Sequence, residues 1–207
     1  MSFYHHYVYP FWIDLALSSR AYRKARARTL APAQGRILEI GFGTGHNLQY
    51  YPEAVERIEA IDTDVDLDRY SQPRIAASRI DVDFHHLDAA HLPFEPESFD
   101  TVVSTLTLCS IPDVEHALGE IRRVLKPGGR FLFLEHGRAP DASLARWQDR
   151  LTPAWKPVGG GCHLNREMHE LVAATGLRLD PVRSYYLKGI PRLFGYMTEG
   201  AATKVTS

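Results

Sequence analysis

The chain has 207 residues, which fits one domain on a prior of ~150 residues per domain and is long enough to bury a core. A net charge of −1 excludes the bulk electrostatic attraction on which nucleic-acid binding rests, so no nucleic-acid partner is expected. Two cysteines far apart in sequence, Cys109 and Cys162, exclude a disulfide scaffold and suit a reducing cytoplasm.

In chain order, the first dozen residues are rich in aromatics: Phe3, Tyr4, Tyr7, Tyr9, Phe11 and Trp12. No basic leader precedes them and Asp14 interrupts the apolar stretch, so neither a signal peptide nor a membrane span is expected. Residues 13–30 read as a helix carrying Arg20, Arg23, Lys24, Arg26 and Arg28. Two readings of this lead segment stand together: a packed helix with a solvated basic face, or a lid that also touches anionic lipid. Strands are expected at 36–41, 57–62, 81–87, 99–106 and 129–135, and helices at 45–51, 67–78, 114–125, 141–151 and 166–175. Pro127-Gly128-Gly129 reads as a turn that stops one helix and launches a strand. This alternation predicts an α/β fold: a mostly parallel sheet with helices on both faces. The tail differs, with strands expected at 177–186 and 194–205 as an antiparallel pair joined through Lys188-Gly189-Ile190-Pro191.

The most informative stretch is Arg36-Ile37-Leu38-Glu39-Ile40-Gly41-Phe42-Gly43-Thr44-Gly45-His46-Asn47. An apolar strand turns sharply into a helix-like segment, and glycines sit where backbone must bend or a ligand must approach. The Gly-x-Gly-x-Gly spacing is not that of dinucleotide enzymes. With Glu39 ahead of the first glycine, it resembles motif I of class I S-adenosylmethionine-dependent methyltransferases. Leu92-Pro93-Phe94, Ser98-Phe99-Asp100 and Val124-Leu125-Lys126-Pro127-Gly128-Gly129 resemble later motifs of the same superfamily. The resemblance implies a Rossmann-like fold of seven strands and S-adenosylmethionine as cofactor, with S-adenosylhomocysteine as product. One domain then covers 1–207, with a lid at 1–30, a cofactor core at 35–136 and an acceptor-side part at 137–207.

In open α/β sheets, ligands collect at the carboxyl ends of strands. Asp62, with Thr63, ends the second strand and suits two ribose hydroxyls. Asp88 and Ala89 follow the third and suit an adenine amino group and its ring. Ser104 and Thr105 end the fourth, near a methionine moiety. Glu39, Gly41, Gly43, Thr44, Gly45 and Asn47 complete the expected cofactor set. Each signal is weak alone, since a strand-terminal aspartate is commonly an N-cap.

On the acceptor side, Thr105-Leu106-Thr107-Leu108-Cys109-Ser110, Glu135-His136 and Trp155-Lys156 followed by Gly160-Gly161-Cys162 resemble the methyltransferase-like alkyl thiol S-methyltransferases. The first residues look more like small bacterial phospholipid N-methyltransferases and quinone C-methyltransferases. A small or lipid-like acceptor is therefore expected, a thiol first and a lipid amine or quinone ring carbon next. The expected location is the cytoplasm, with peripheral membrane contact left open. His136 is the first candidate for an acceptor-side base, since it ends a strand and histidine titrates near neutrality. His163 and Arg166 are further candidates, the latter for an anionic acceptor. The ten histidines lack zinc-ligand spacings, so no metal is expected. Other readings are a noncatalytic S-adenosylmethionine-binding regulatory module and a nicotinamide oxidoreductase; the glycine spacing opposes the last.

Overall fold

The computed structural model describes residues 3–205. Five strands pair in parallel: β1 (Ile37–Ile40), β2 (Arg57–Asp62), β3 (Asp81–His86), β4 (Phe99–Thr105) and β5 (Leu125–His136). Their order is β3-β2-β1-β4-β5, so the winding reverses between β1 and β4. That reversal opens a crevice at the strands' carboxyl ends. β8 (Tyr196–Thr203) lies antiparallel on β5, and β6 (Arg178–Leu179) and β7 (Arg183–Tyr186) share its other edge.

Among the described residues, eight strands thus fill seven positions. The single strand expected over 177–186 is two, because Pro181 has no N–H to give the ladder. Asp180 donates the last bond before the break, to the carbonyl of Ala201 at 2.9 Å. The turn at Pro127–Gly129 is a bulge inside β5: Phe99 pairs Leu125, but Thr101 pairs Arg130.

Side chains alternate across the sheet. Val102, Phe131 and Phe133 face one layer, formed by α4 (Val114–Val124) and α6 (Met168–Ala174). Val103 and Leu132 face the other, beneath Leu30 of α2 (Arg20–Leu30). In α4 the residues Val114, Ala117, Leu118, Ile121 and Val124 repeat at helical spacing and are all buried. Each large one contributes about 1.5–3 kcal/mol by leaving water. Asp113 caps this helix by accepting the N–H of His116.

Ahead of α2 runs α1 (Tyr9–Leu17), preceded by a π-helical turn at Tyr4–Val8. The helix expected over 13–30 is therefore broken. Ser19 takes extended backbone and caps α2 by accepting the N–H of Tyr22. Three further helices lie among the described residues: α3 (Asp68–Ala76), α5 (Ala142–Trp155) and the single turn α7 (Arg192–Gly195). The helix expected over 45–51 is only a 3-10 turn at Leu48–Tyr50. Gly45 sits at φ +78°, outside helical backbone, and the Asn47 side chain is drawn inward. Among the described residues, no helix is long and apolar enough to cross a membrane.

Candidate active site

The crevice at the switch point is a cavity of about 650 Å³, walled by the ends of β1, β2, β4 and β5 and roofed by α1. At one end the glycine loop leaves β1. The N–H groups of Gly41 and Phe42 donate to the Ile61 carbonyl at 2.9 and 3.0 Å. The Gly43 N–H donates to Asp62 Oδ2 at 2.7 Å, and the Asp64 N–H to Oδ1 at 2.9 Å. Burial raises the Asp62 pKa, opposed by these amides. Each carboxylate oxygen accepts more than one bond, so Asp62 keeps capacity for further donors.

The glycines differ in purpose. A Cβ on Gly41 would lie 2.0 Å from Thr107 Oγ1, so this glycine admits the turn after β4. A Cβ on Gly43 (φ +57°) would meet nothing nearer than the Gly41 carbonyl at 3.9 Å, and Gly43 faces the cavity. That empty direction is where a ligand can approach backbone.

Beneath the loop, Glu39 is 1% exposed. It accepts from Asn47 Nδ2 at 2.9 Å and from Tyr51 Oη at 2.6 Å, while Asn47 Nδ2 also donates to Thr105 Oγ1 at 2.9 Å. Burial pushes Glu39 up to about 7. Glu39 therefore locks the loop from behind and is not part of the cavity wall. Gly45 and Ser104 also stand outside the wall; Thr44, Asn47, Thr63, Asp88, Ala89 and Thr105 belong to it.

The other end is organised by a residue that carried no role in the sequence reading. Glu135 is fully buried and accepts from Ser104 Oγ at 2.9 Å, Thr107 N–H at 3.1 Å and Cys109 N–H at 3.4 Å. These bonds hold the turn after β4, where Leu106 takes φ +60°, a strained backbone for a leucine. Its signal was an acid ending the apolar run Phe131-Leu132-Phe133-Leu134. Next to it, His136 is 5% exposed and lines the cavity. Its Nδ1 lies 3.8 Å from Cys162 Sγ, and its Nε2 is buried with no partner among the described residues.

His163 and Arg166 are not in the wall. The His163 ring meets the Cys109 carbonyl at 3.2 Å, and Arg166 donates to the carbonyls of Leu108 and Pro112. Both pin the 159–166 segment to the turn after β4. A potential metal-ligand group, Glu59, Asp83 and His85, lies on β2 and β3 away from the wall, and Arg36 and Arg57 donate to its carboxylates.

The roof is tied at both ends. Tyr4 Oη donates to the Val158 carbonyl at 2.9 Å, and Tyr9 Oη lies where a Cβ on Gly160 would be. Asp14 of α1 accepts from Arg74 at 2.6 Å, and Arg74 also donates to the Thr44 carbonyl at 2.7 Å. His46 Nε2 is 3.0 Å from Asp14. Tyr9, Ile13 and Leu17 face inward, while Phe3, Tyr7, Phe11 and Trp12 are exposed.

Residues 38–133 match the model of the methyltransferase domain family. The chain is 36% identical to human thiol S-methyltransferase TMT1A over 180 residues, covering 77% of this chain and 69% of that protein. The chain belongs to the class I S-adenosylmethionine-dependent methyltransferases. It is also 38% identical over 136 residues to thiol S-methyltransferase TMT1B of Rattus norvegicus, covering 63% of this chain but just over half, 55%, of the rat protein. The fold matches a SAM-dependent methyltransferase of Methanosarcina mazei with TM-score 0.66 at 20% identity, over 87% of this chain and 97% of the other. S-adenosylmethionine is the cofactor of this family, and the cavity of this methyltransferase fits it. Open space faces Gly43, two strand-end carboxylates, Asp62 and Asp88, reach the wall, and Asn47 Oδ1 is a buried acceptor without a partner among the described residues.

Proposed function

We propose that this chain transfers the methyl group of S-adenosylmethionine to a small lipophilic thiol. The cofactor, when bound, supplies a methyl already activated on a sulfonium. The work left to the protein is alignment, exclusion of water and removal of the thiol proton. Gly41, Gly43, Thr44 and Asn47 would hold the amino-acid part, Asp62 and Thr63 the ribose hydroxyls, and Asp88 and Ala89 the adenine. Ile13, Leu17, Leu106, Ile111 and Phe194 give the acceptor end an apolar lining, which supports an enzyme over a noncatalytic binding module.

The observation that carries the reading is His136. Interaction with the Cys109 thiol, then with His136, pulls Cys162 below the ordinary thiol range. Nδ1 faces Cys162 Sγ at 3.8 Å, and Nε2 is buried on the cavity wall with no partner among the described residues. Nε2 is then placed to take the acceptor's proton. His163 and Arg166 support this site through the segment they pin. The aromatic outer face of α1 suits peripheral contact between a cytoplasmic protein and a membrane from which a lipophilic acceptor arrives.

The test is S-adenosylhomocysteine release with alkyl thiols, phosphatidylethanolamine and quinone precursors as acceptors. His136→Ala should lower thiol turnover about a hundredfold at low pH, within the range for a general base. The defect should shrink as pH approaches the thiol's own pKa, because solvent then supplies thiolate. A defect independent of pH would assign His136 to positioning. Turnover of a lipid amine or quinone precursor without thiol activity would reject the thiol.

A further inference from the structure

We propose that Cys162 and Cys109 form a redox-active dithiol at the acceptor end of the cavity, one that undergoes exchange with small-molecule disulfides. Both residues line the cavity, Cys109 nearly buried and Cys162 half-buried. Both sit on one core cluster, and each thiol shifts the titration of the other, Cys109 upward and Cys162 downward. The backbones run side by side: the His163 N–H donates to the Cys109 carbonyl at 2.8 Å, and a Cβ on Gly161 would press the Ser110 carbonyl at 3.0 Å. A glycine between Gly160 and Cys162 is what permits this approach. Side-by-side backbones bring two residues into the range a disulfide requires.

The environment assigns the order of attack. His136 Nδ1, 3.8 Å from Cys162 Sγ, favours the thiolate there, whereas Cys109 is held protonated by its neighbour Cys162 and by burial. Thiolate at Cys162 attacks one sulfur of R–S–S–R. The S–S bond breaks, and the first R–S⁻ leaves with the electron pair. Cys109 then gives its proton to that thiolate and attacks Cys162 Sγ, expelling the second R–S⁻, which takes up a proton from solvent. The small disulfide is reduced by two electrons to two thiols, and the cysteine pair is oxidised by two electrons to a disulfide. The thiols released belong to the class proposed above as methyl acceptors, but the exchange does not rest on that reading and is read out by mass, not methylation.

The full chain is treated with 2-hydroxyethyl disulfide at neutral pH and its intact mass is followed. The expected product has lost two hydrogens, with two equivalents of 2-mercaptoethanol released. Cys109→Ala should instead hold one mercaptoethanol adduct, mapped to Cys162, and Cys162→Ala should gain none. Retained S-adenosylhomocysteine binding establishes that each variant is folded. Should either variant not fold, brief iodoacetamide labelling of the native chain gives the same information: Cys162 is expected to react about tenfold faster than Cys109, following its thiolate fraction. A native chain that keeps both thiols, an adduct that starts on Cys109, equal labelling of the two, or a stable adduct without loss of two hydrogens would each overturn the proposal.

Discussion

Glu135 shows how one buried acid can organise an active-site turn and tax stability at once. Burial raises its pKa from 4.5 to about 7, against the pull of the Thr107, Leu108 and Cys109 amides and the Ser104 hydroxyl. The folded chain therefore keeps this proton through a window in which the unfolded chain has lost it. Stability from this group is full below pH 4.5 and is lost as pH rises to about 7. Glu135→Gln cannot ionise, so it should gain stability relative to the native chain across that window, read as the difference in Tm between the two proteins. A constant offset would mean that Glu135 stays ionised on its donors. His46 and His163, whose pKa values burial lowers, oppose this trend, but they are common to both proteins and cancel in the difference. The sequence announced the cofactor end, because glycine spacing and strand-end acids sit on contiguous motifs. It placed Glu135 only within a motif and Tyr9 only within an aromatic stretch, and was silent on the meeting of Cys109 with Cys162. Those roles depend on which distant segments meet at the crevice, and a lone acid or aromatic carries no periodicity to announce that.

α1 is a roof held by polar pins. Its inner face offers Tyr9, Ile13 and Leu17 to the cavity, but its link to the glycine loop runs through Asp14, Arg74 and the Thr44 carbonyl. Arg74 is about one-third exposed, so the pair contributes modestly to global stability. Its effect should be local. Arg74→Ala should speed amide hydrogen exchange in α1 severalfold while leaving α4 unchanged, since local opening and global unfolding are separate events. Exchange rising equally in α1 and α4 would mean that Arg74 supports the whole fold. The parallel strands were legible from short apolar runs in β1, β4 and β5 and from alternation in β2 and β3, and α4 because its apolar stripe repeats at helical spacing. The departures have local causes that the apolar pattern does not register. Gly45 and the inward-turned Asn47 stop a helix after the glycine loop, Pro181 cuts one strand in two, and Ser19 restarts the N-terminal helix.

The cavity wall draws on residues from Tyr9 to Phe194, so no part of the chain makes the site alone. The roof comes from α1, the loop from β1, and the last strand braces β5 along Arg130–His136. A ligand that needs this whole arrangement binds the folded chain and not the unfolded one, and must therefore stabilise it. At a hundred times Kd the gain is about 2.7 kcal/mol. For a chain of this size each kcal/mol raises Tm by about 2–4 °C, so S-adenosylhomocysteine should raise it by roughly 5–11 °C. Gly43→Val should abolish that rise, because its side chain points into the open space of the cavity. The substitution also forces a branched residue into left-handed backbone and should lower the ligand-free Tm. Gly128→Val controls for that strain: Gly128 has φ +77°, open space around its Cβ and no place in the cavity wall. Both variants should melt below the native chain without ligand, but only Gly128→Val should recover the full shift with it. An equal shift in both would remove the glycine loop from the cofactor site, and loss of the shift in both would mean that strain, not bulk in the cavity, governs binding.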